Sequence, residues 1–452
     1  MAGYQKLSVL LTEELDQLKE EGRIFNREEF EKKIKDANDD KEKLMAIYEE
    51  YQALPVDKNF KYKEPVSYED IQKSLKGNFD KFDLPDEETL KNKFWGAWTG
   101  RCIGCAFGQP VELWTAKAIK TWVEKADAWP LEDYLPTHSR AEKEDNMKIG
   151  MPISTKDNIK FMTTDDDIRY TVIGLLLLEE KGKDFDTWDV AYNWMQRLPF
   201  RYLCTAENQA YLNFANLDIH GPWGKPDKEV CKKTLEEYKV NTYLNPYREW
   251  IGAQIRIDAY GYAAAGNPHL AADFAFRDAD FSHVKNGTYG AMFFAALIAA
   301  AFGAKTVDEM LDAAMKEVPE TSRFYEAMEL ARKIGREASS REELIDMLEK
   351  NFGQYNFVHT INNAALCVAA IQYSKGDFNE AIILSVQGGW DTDCNGATVG
   401  SVMGAFCGEK GIPDKWKKPL NDTLYSSIPD FHPIAISEVA ERTYKLFKKI
   451  NE

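Results

Sequence analysis

The chain lacks any apolar run long enough to cross a bilayer. Its longest weakly polar stretch, "GAMFFAALIAAAFGA", lies between Lys285 and Lys305. A membrane-spanning helix needs about 20 apolar residues, so this stretch reads as a buried core helix. The first residues, "MAGYQKLSVLLTEELDQL", hold no sustained apolar segment of signal-peptide type. Positive charge is scarce as well: 57 Lys and Arg face 74 Asp and Glu, a formal net charge of -17. Broad binding to nucleic acid or to anionic membrane needs basic surface, so neither is expected as a partner. An anionic ligand would be held instead by a metal ion or a helix N-terminus. The 7 cysteines are odd in number and scattered, which points to reduced thiols and a cytoplasmic setting rather than a disulfide framework. Cys102 and Cys105 form a lone CxxC with no second pair and read as two buried thiols. No GxSxG elbow, HExxH or P-loop occurs.

What the chain does have is helical periodicity. Residues 1–88 are charge-rich, with Leu, Phe, Ile and Met at roughly helical spacing and no chemical constellation. They read as an N-terminal helical extension that packs on the main body or on another subunit, a route to oligomers. From 89 onward, Ala/Gly/Leu-rich stretches alternate with polar, Pro- and Trp-containing loops. The pattern predicts helices over 165–182, 186–197, 268–278, 286–303, 307–316, 322–337, 340–350, 361–374, 378–386 and 434–449. The fold expectation is all-α, one large helical domain at 89–452 plus the extension. The long loop at 199–250 leaves room for a weak sheet or hairpin.

Glycines recur every four residues in two places, at 96, 100, 104 and 108 and at 396, 400, 404 and 408. That spacing lines them along one helix face. Each internal Gly costs about 1 kcal/mol against Ala, and close approach of helix backbones compensates. Packing alone explains the glycines. Their position is the informative part, because one ladder leads into Glu112 and the other leaves an acidic turn.

Two acidic turns precede helices. In "TTDDDIRYT", Thr164 reads as an N-cap and Asp165, Asp166 and Asp167 fill the first turn. In "GGWDTDCNGATVG", Asp391 and Asp393 flank Thr392. Carboxylates at a helix N-terminus gain only about 0.3–1 kcal/mol each from the macrodipole, which justifies one or two but less easily three. Together the turns make an all-oxygen cage for hard divalent cations, which would relieve the repulsion. The DDxxD of isoprenoid synthases does not fit, because Arg169 stands where an acid is needed, and no histidine is followed by Asp as HD phosphohydrolases require.

Four segments, in order, resemble the ADP-ribosylglycohydrolase family, which includes the enzyme that reactivates dinitrogenase reductase. They are "GAWTGRCIGCAFGQPVE", "TTDDD", "GNPHLAADFAFRDADFSHVKNGTYGAMFFAALIAAAF" and "GGWDTDCNGATVGSVMGAF", and the likeness runs from about Phe94 to Pro413. The resemblance implies an orthogonal multi-helix bundle with two Mg²⁺ ions, Mn²⁺ being the alternative. By matching position it implies Thr164, Asp165, Asp166, Asp391 and Asp393 as metal ligands and Glu112 as a mobile carboxylate at the mouth. Gly252 to Arg256 would sit where the family wraps the ligand's diphosphate. Trp390 would shape the pocket, and His283 would be a ligand-side base or an N-terminal hydrogen-bonding residue. The implied partner is an ADP-ribosylated substrate or a small ribosyl ligand.

The chain departs from the pattern at Cys394, where the family has a metal-ligating Thr. A thiol is a poor partner for Mg²⁺, so that site is altered, weaker, or completed by water or Asn395. Asp167 stands where the family often has Thr. The expected chemistry is cleavage of an N- or O-glycosidic bond at ribose C1 through an oxocarbenium-like transition state. Two metals would fix the ribose hydroxyls and polarise water, and Glu112 or Asp166 would accept the water's proton. The rival readings are a metal-dependent hydrolase of another nucleoside-like or glycoside substrate, and a non-catalytic binding protein on the same fold.

Overall fold

The structure is a computed structural model, in which residues 5–217 and 225–452 are described. Helices dominate, and the only strands among the described residues are Thr423–Leu424 and Ile434–Ala435, paired antiparallel. The ten predicted helices are present, with ends shifted by a few residues: Asp166–Lys181, Thr187–Arg197, Pro268–Ala279, Asn286–Ala301, Val307–Met315, Arg323–Glu337, Arg341–Phe352, Thr360–Ser374, Phe378–Gln387 and Ile436–Asn451. Side-chain caps start many of them, including Asn267, Thr306, Ser322, Ser340 and Asp377. Asn286–Ala301 is buried along its whole length. It is the central core helix, as its uniform apolarity requires. Among the described residues, no helix is long and apolar enough to cross a membrane.

The glycine ladders meet each other. Glu87–Gly108 and Thr392–Cys407 run antiparallel, with Gly96 against Gly404, Gly100 against Gly400 and Gly104 against Gly396. A methyl group on any of these glycines would fall inside the backbone of the facing helix. The antiparallel register has a chemical consequence. It sets the C-terminal end of the first ladder, and so Glu112, beside the N-terminal end of the second, and so Asp391 and Asp393. The last rung is Gly108 against Thr392, whose hydroxyl donates to the Gly108 carbonyl at 2.8 Å.

Leu7–Glu20, Arg27–Ala37 and Lys41–Gln52 enclose a small core of their own around Leu11, Leu15, Phe30, Ile34, Leu44 and Tyr51. One face of the first helix is polar and buried against the rest of the chain. Glu14 and Glu21 pair with Arg248 at 2.8 and 3.1 Å, and Gln17 donates to Glu249 at 2.7 Å. From 53 to 86 the chain is mostly irregular apart from Tyr68–Ser74, so helical spacing overstated the helix content there. The expected loop at 199–250 is corrected as well. It carries Thr205–Ala215 and Lys228–Glu237 and no paired strand among the described residues. The part of that expectation on residues 218–224 lies outside the described residues.

Candidate metal centre

The acidic centre is built where two helix starts and one helix end converge. The Thr392–Cys407 helix begins with Asp391 at its cap position and Asp393 in its first turn. The Asp166–Lys181 helix is capped by Asp165, whose side chain accepts from Asp167 N at 3.1 Å. Thr164 was expected to cap this helix and does not. Its hydroxyl lies 2.9 Å from Ser427 Oγ and accepts from Arg169 Nη2 at 3.2 Å. The third side is the Gln109–Val111 turn, which delivers Glu112. That loop is tied to the second acidic turn by Leu113 N to Trp390 O and Trp390 N to Trp114 O, both 2.9 Å.

Three sets of potential ligand atoms each lie within 4.8 Å of one another: Glu112, Asp391 and Asp393; Asp167, Asp393 and Cys394; and Cys105, Asp165 and Asp167. Asp393 and Asp167 are shared, so the sets form one continuous cluster. Acid residues far apart in sequence thus lie together, and their electrostatics show the cost. Burial first, and then Asp391 and Asp165, push the Glu112 carboxyl up to about 7. The residue as a whole is exposed, so only its carboxylate end shares the buried cluster. Asp166 is held well above the usual carboxylate range by burial and by Asp165, and Asp393 by burial, Glu112 and Asp391. Asp391 is raised by burial and by Asp165, against hydrogen bonds from Asp393 and Cys394. The Cys394 thiol is pushed well up by burial and by Asp167, so it stays neutral.

Asp167 answers why a third aspartate is tolerated. Its Oδ1 lies 3.2 Å from Arg101 Nη2, and Arg101 also pairs with Asp258 at 2.9 Å. Its Oδ2 is buried with no hydrogen-bond partner, as is Asp393 Oδ1. Two orphaned, buried carboxylate oxygens in an oxygen-rich cluster fit a hard divalent cation, which would supply the missing partner.

Supporting residues were not anticipated from sequence. Gln109 Nε2 donates to Asp165 Oδ2 at 2.7 Å while its Oε1 accepts from Ser154 at 2.6 Å. Asn363 Oδ1 accepts from Asp391 N at 3.2 Å and from Asn395 Nδ2 at 2.8 Å. Asn395 is therefore committed to Asn363 and is not turned toward the cluster. A lone Arg inside a glycine ladder and paired Asn residues in an apolar helix were the available signals.

Several expected site residues are buried in other contacts. Arg256 is 1% exposed and spent on Glu207, Asp278 and Ser282. Gly252 packs against the Glu207 carboxylate in the Ile251–Arg256 turn. His283 is fully buried, bonded to Ser282 at 2.8 Å, and burial with Arg256 holds it well below its ordinary value. The Arg256 charge is thus already paired, while His283 keeps a buried Nε2 with no hydrogen-bond partner. The Trp390 ring is 2% exposed and belongs to the core. Its contribution is backbone geometry, at φ +64° after Gly389 at φ +80°.

The family model of ADP-ribosylglycohydrolase matches residues 86–451. The chain belongs to the ADP-ribosylglycohydrolase family. Membership makes it a glycosidic-bond hydrolase whose substrate class is ADP-ribose-linked. A solved "ADP-ribosylglycohydrolase-related protein complex" is 17% identical, with 81% of this chain and 100% of that one covered and a TM-score of 0.47. None of the curated proteins matches. The family match begins at the helix that carries the first glycine ladder, so the ladder pair and both acidic turns fall within the ADP-ribosylglycohydrolase region.

Proposed function

We propose that this ADP-ribosylglycohydrolase uses two Mg²⁺ ions to hydrolyse the glycosidic bond at C1 of an ADP-ribosyl group. The observation that carries the reading is the sharing of Asp393 between two ligand sets, which would let one carboxylate serve two neighbouring cations. Glu112, Asp391 and Asp393 would hold one ion. Asp165, Asp166 and Asp393, with the free oxygen of Asp167, would hold the other, and Thr164 would join after leaving Ser427. When bound, the ions would fix the ribose hydroxyls and lower the pKa of water.

The chain's own residues have separable tasks. Arg101 and Gln109 fix Asp167 and Asp165, and Asn363 fixes the backbone of Asp391. Glu112 stands at the rim, where burial, Asp391 and Asp165 push its carboxyl up to about 7 in the cation-free protein. With the cations bound it would take a proton from water during attack and return one to the leaving group. Asp166 is the alternative acceptor. The test is release of ADP-ribose from an ADP-ribosylated protein with Mg²⁺ and with EDTA. Equal rates in the two would overturn the metal mechanism.

A further inference from the structure

Two arginines stand beside the acidic centre without a carboxylate in ion-pair contact among the described residues. Arg169 follows Asp165 by one turn of the Asp166–Lys181 helix and is 5% exposed. Its Nη2 donates to Thr164 Oγ1 at 3.2 Å, while its Nε is buried with no acceptor. Its guanidinium carbon lies 4.3 Å from the centroid of the Tyr202 ring. Arg201, which is exposed, lies 4.7 Å from the same centroid and donates to the Tyr202 hydroxyl at 2.8 Å. Arg197, just before Arg201 in the chain, and Arg256 have carboxylate partners at 2.9 and 2.8 Å. Arg169 and Arg201 have none within ion-pair reach among the described residues, in a chain of net charge -17.

Hydroxyl groups complete an arc. Ser427 is near enough to the Tyr202 hydroxyl to lower its pKa, and Ser427 Oγ lies 2.9 Å from Thr164 Oγ1. The arc therefore joins the first acidic turn, the Phe200–Tyr202 turn and the loop at Ser427. It borders the acidic centre through Thr164, which accepts from Arg169 at 3.2 Å and immediately precedes Asp165. Two guanidinium groups on one ring repel each other, and an anion with several acceptor oxygens would relieve that while satisfying Arg169 Nε. The Gly252–Arg256 turn is not available for this task, since Arg256 is consumed by Glu207 and Asp278.

We infer that Arg169, Arg201, Tyr202 and Ser427 form a subsite for a phosphate-class anion at the rim of the acidic centre. The source of that anion rests on the proposed function. With an ADP-ribosyl substrate it is the diphosphate, and the other source is free phosphate. Anchoring the diphosphate there would hold the attached ribose over the carboxylates while the like-charged ends stay apart.

The test is titration calorimetry of the full chain in EDTA with inorganic pyrophosphate, inorganic phosphate and ADP-ribose, on wild type, Arg201→Gln and Arg201→Lys. Arg201 is exposed and makes no ion pair, so the variants keep the fold, which an unchanged Tm verifies. Pyrophosphate is expected to bind wild type and to bind Arg201→Gln at least about tenfold more weakly, with recovery in Arg201→Lys. Pyrophosphate bound in preference to phosphate assigns a substrate diphosphate, whereas equal binding assigns free phosphate. Equal pyrophosphate affinity in wild type and Arg201→Gln, or no binding to wild type, overturns the subsite. ADP-ribose separates the two readings. If pyrophosphate binds and ADP-ribose binds neither in EDTA nor with Mg²⁺ restored, the subsite stands and the ADP-ribosyl reading falls. If ADP-ribose binds wild type and Arg201→Gln alike, the subsite falls and that reading stands.

Discussion

Gly100 faces Gly400 where two helices meet backbone to backbone, each without room for a single added methyl group. This contact sets the register that brings Glu112 to Asp391 and Asp393. Gly100→Ala is therefore expected to act at a distance from the site. It should cost about 3 kcal/mol, at the upper end of overpacking effects, and weaken Mg²⁺ stabilisation with it. Differential scanning calorimetry with and without Mg²⁺ measures both. A variant with wild-type Tm and wild-type Mg²⁺ response would show that the ladder does not position the acids.

Asp393 is the shared member of the cluster. Asp393→Ala should abolish the rise in Tm on adding Mg²⁺ and lower glycohydrolase activity by more than about 100-fold, beyond the loss typical of outer-sphere partners. Retained activity would remove the two-cation mechanism.

Cys394 places a neutral thiol against Asp167 and Asp393. Cys394→Thr replaces a soft group by a hydroxyl oxygen that suits Mg²⁺. Mg²⁺ affinity should be kept or strengthened, as read by calorimetric titration. A clear drop would mean that the thiol's packing matters more than its chemistry.

The Glu112 carboxyl, pushed up to about 7 in the cation-free protein, carries a pH prediction. A raised carboxyl favours the protonated folded state, so its contribution to stability is present at acid pH and is lost as pH rises through 7. A cation must displace that proton below pH 7. Apparent Mg²⁺ affinity should therefore fall from about pH 8 to about pH 6, by up to about tenfold per unit for each proton displaced. Affinity that stays flat across this range would separate Glu112 from the cation.

Arg256 tests the reassignment of the Ile251–Arg256 turn. Removing one partner of a buried ion pair costs about 3–5 kcal/mol, so Arg256→Ala should lower Tm sharply. A normal Tm together with lost ADP-ribose binding would instead restore Arg256 to the ligand site.

How far the sequence reached can be judged from particular residues. The ten predicted helices were legible because their apolar spacing and caps are local signals, and Asn286–Ala301 announced its burial by composition. The acidic turns were legible because consecutive aspartates carry a cost that needs a reason. The roles within "TTDDD" were not. Asp165 rather than Thr164 caps the helix, and Asp167 is tied to Arg101, because a cap is chosen by backbone angles and a counter-ion by a partner distant in sequence. That Arg256 is already paired with Glu207 and Asp278 and that His283 is fully buried was hidden for the same reason, since motif position reveals neither pairing nor burial.

By itself the sequence determined an all-helical chain, two glycine faces and two clusters of acid, since these depend on spacing and residue type alone. Only the tertiary structure decided that the glycine faces meet antiparallel, that Asp393 is shared between ligand sets, and which arginines remain unpaired. Those outcomes depend on backbone approach and on through-space charge, and neither is encoded in the order of residues along one segment.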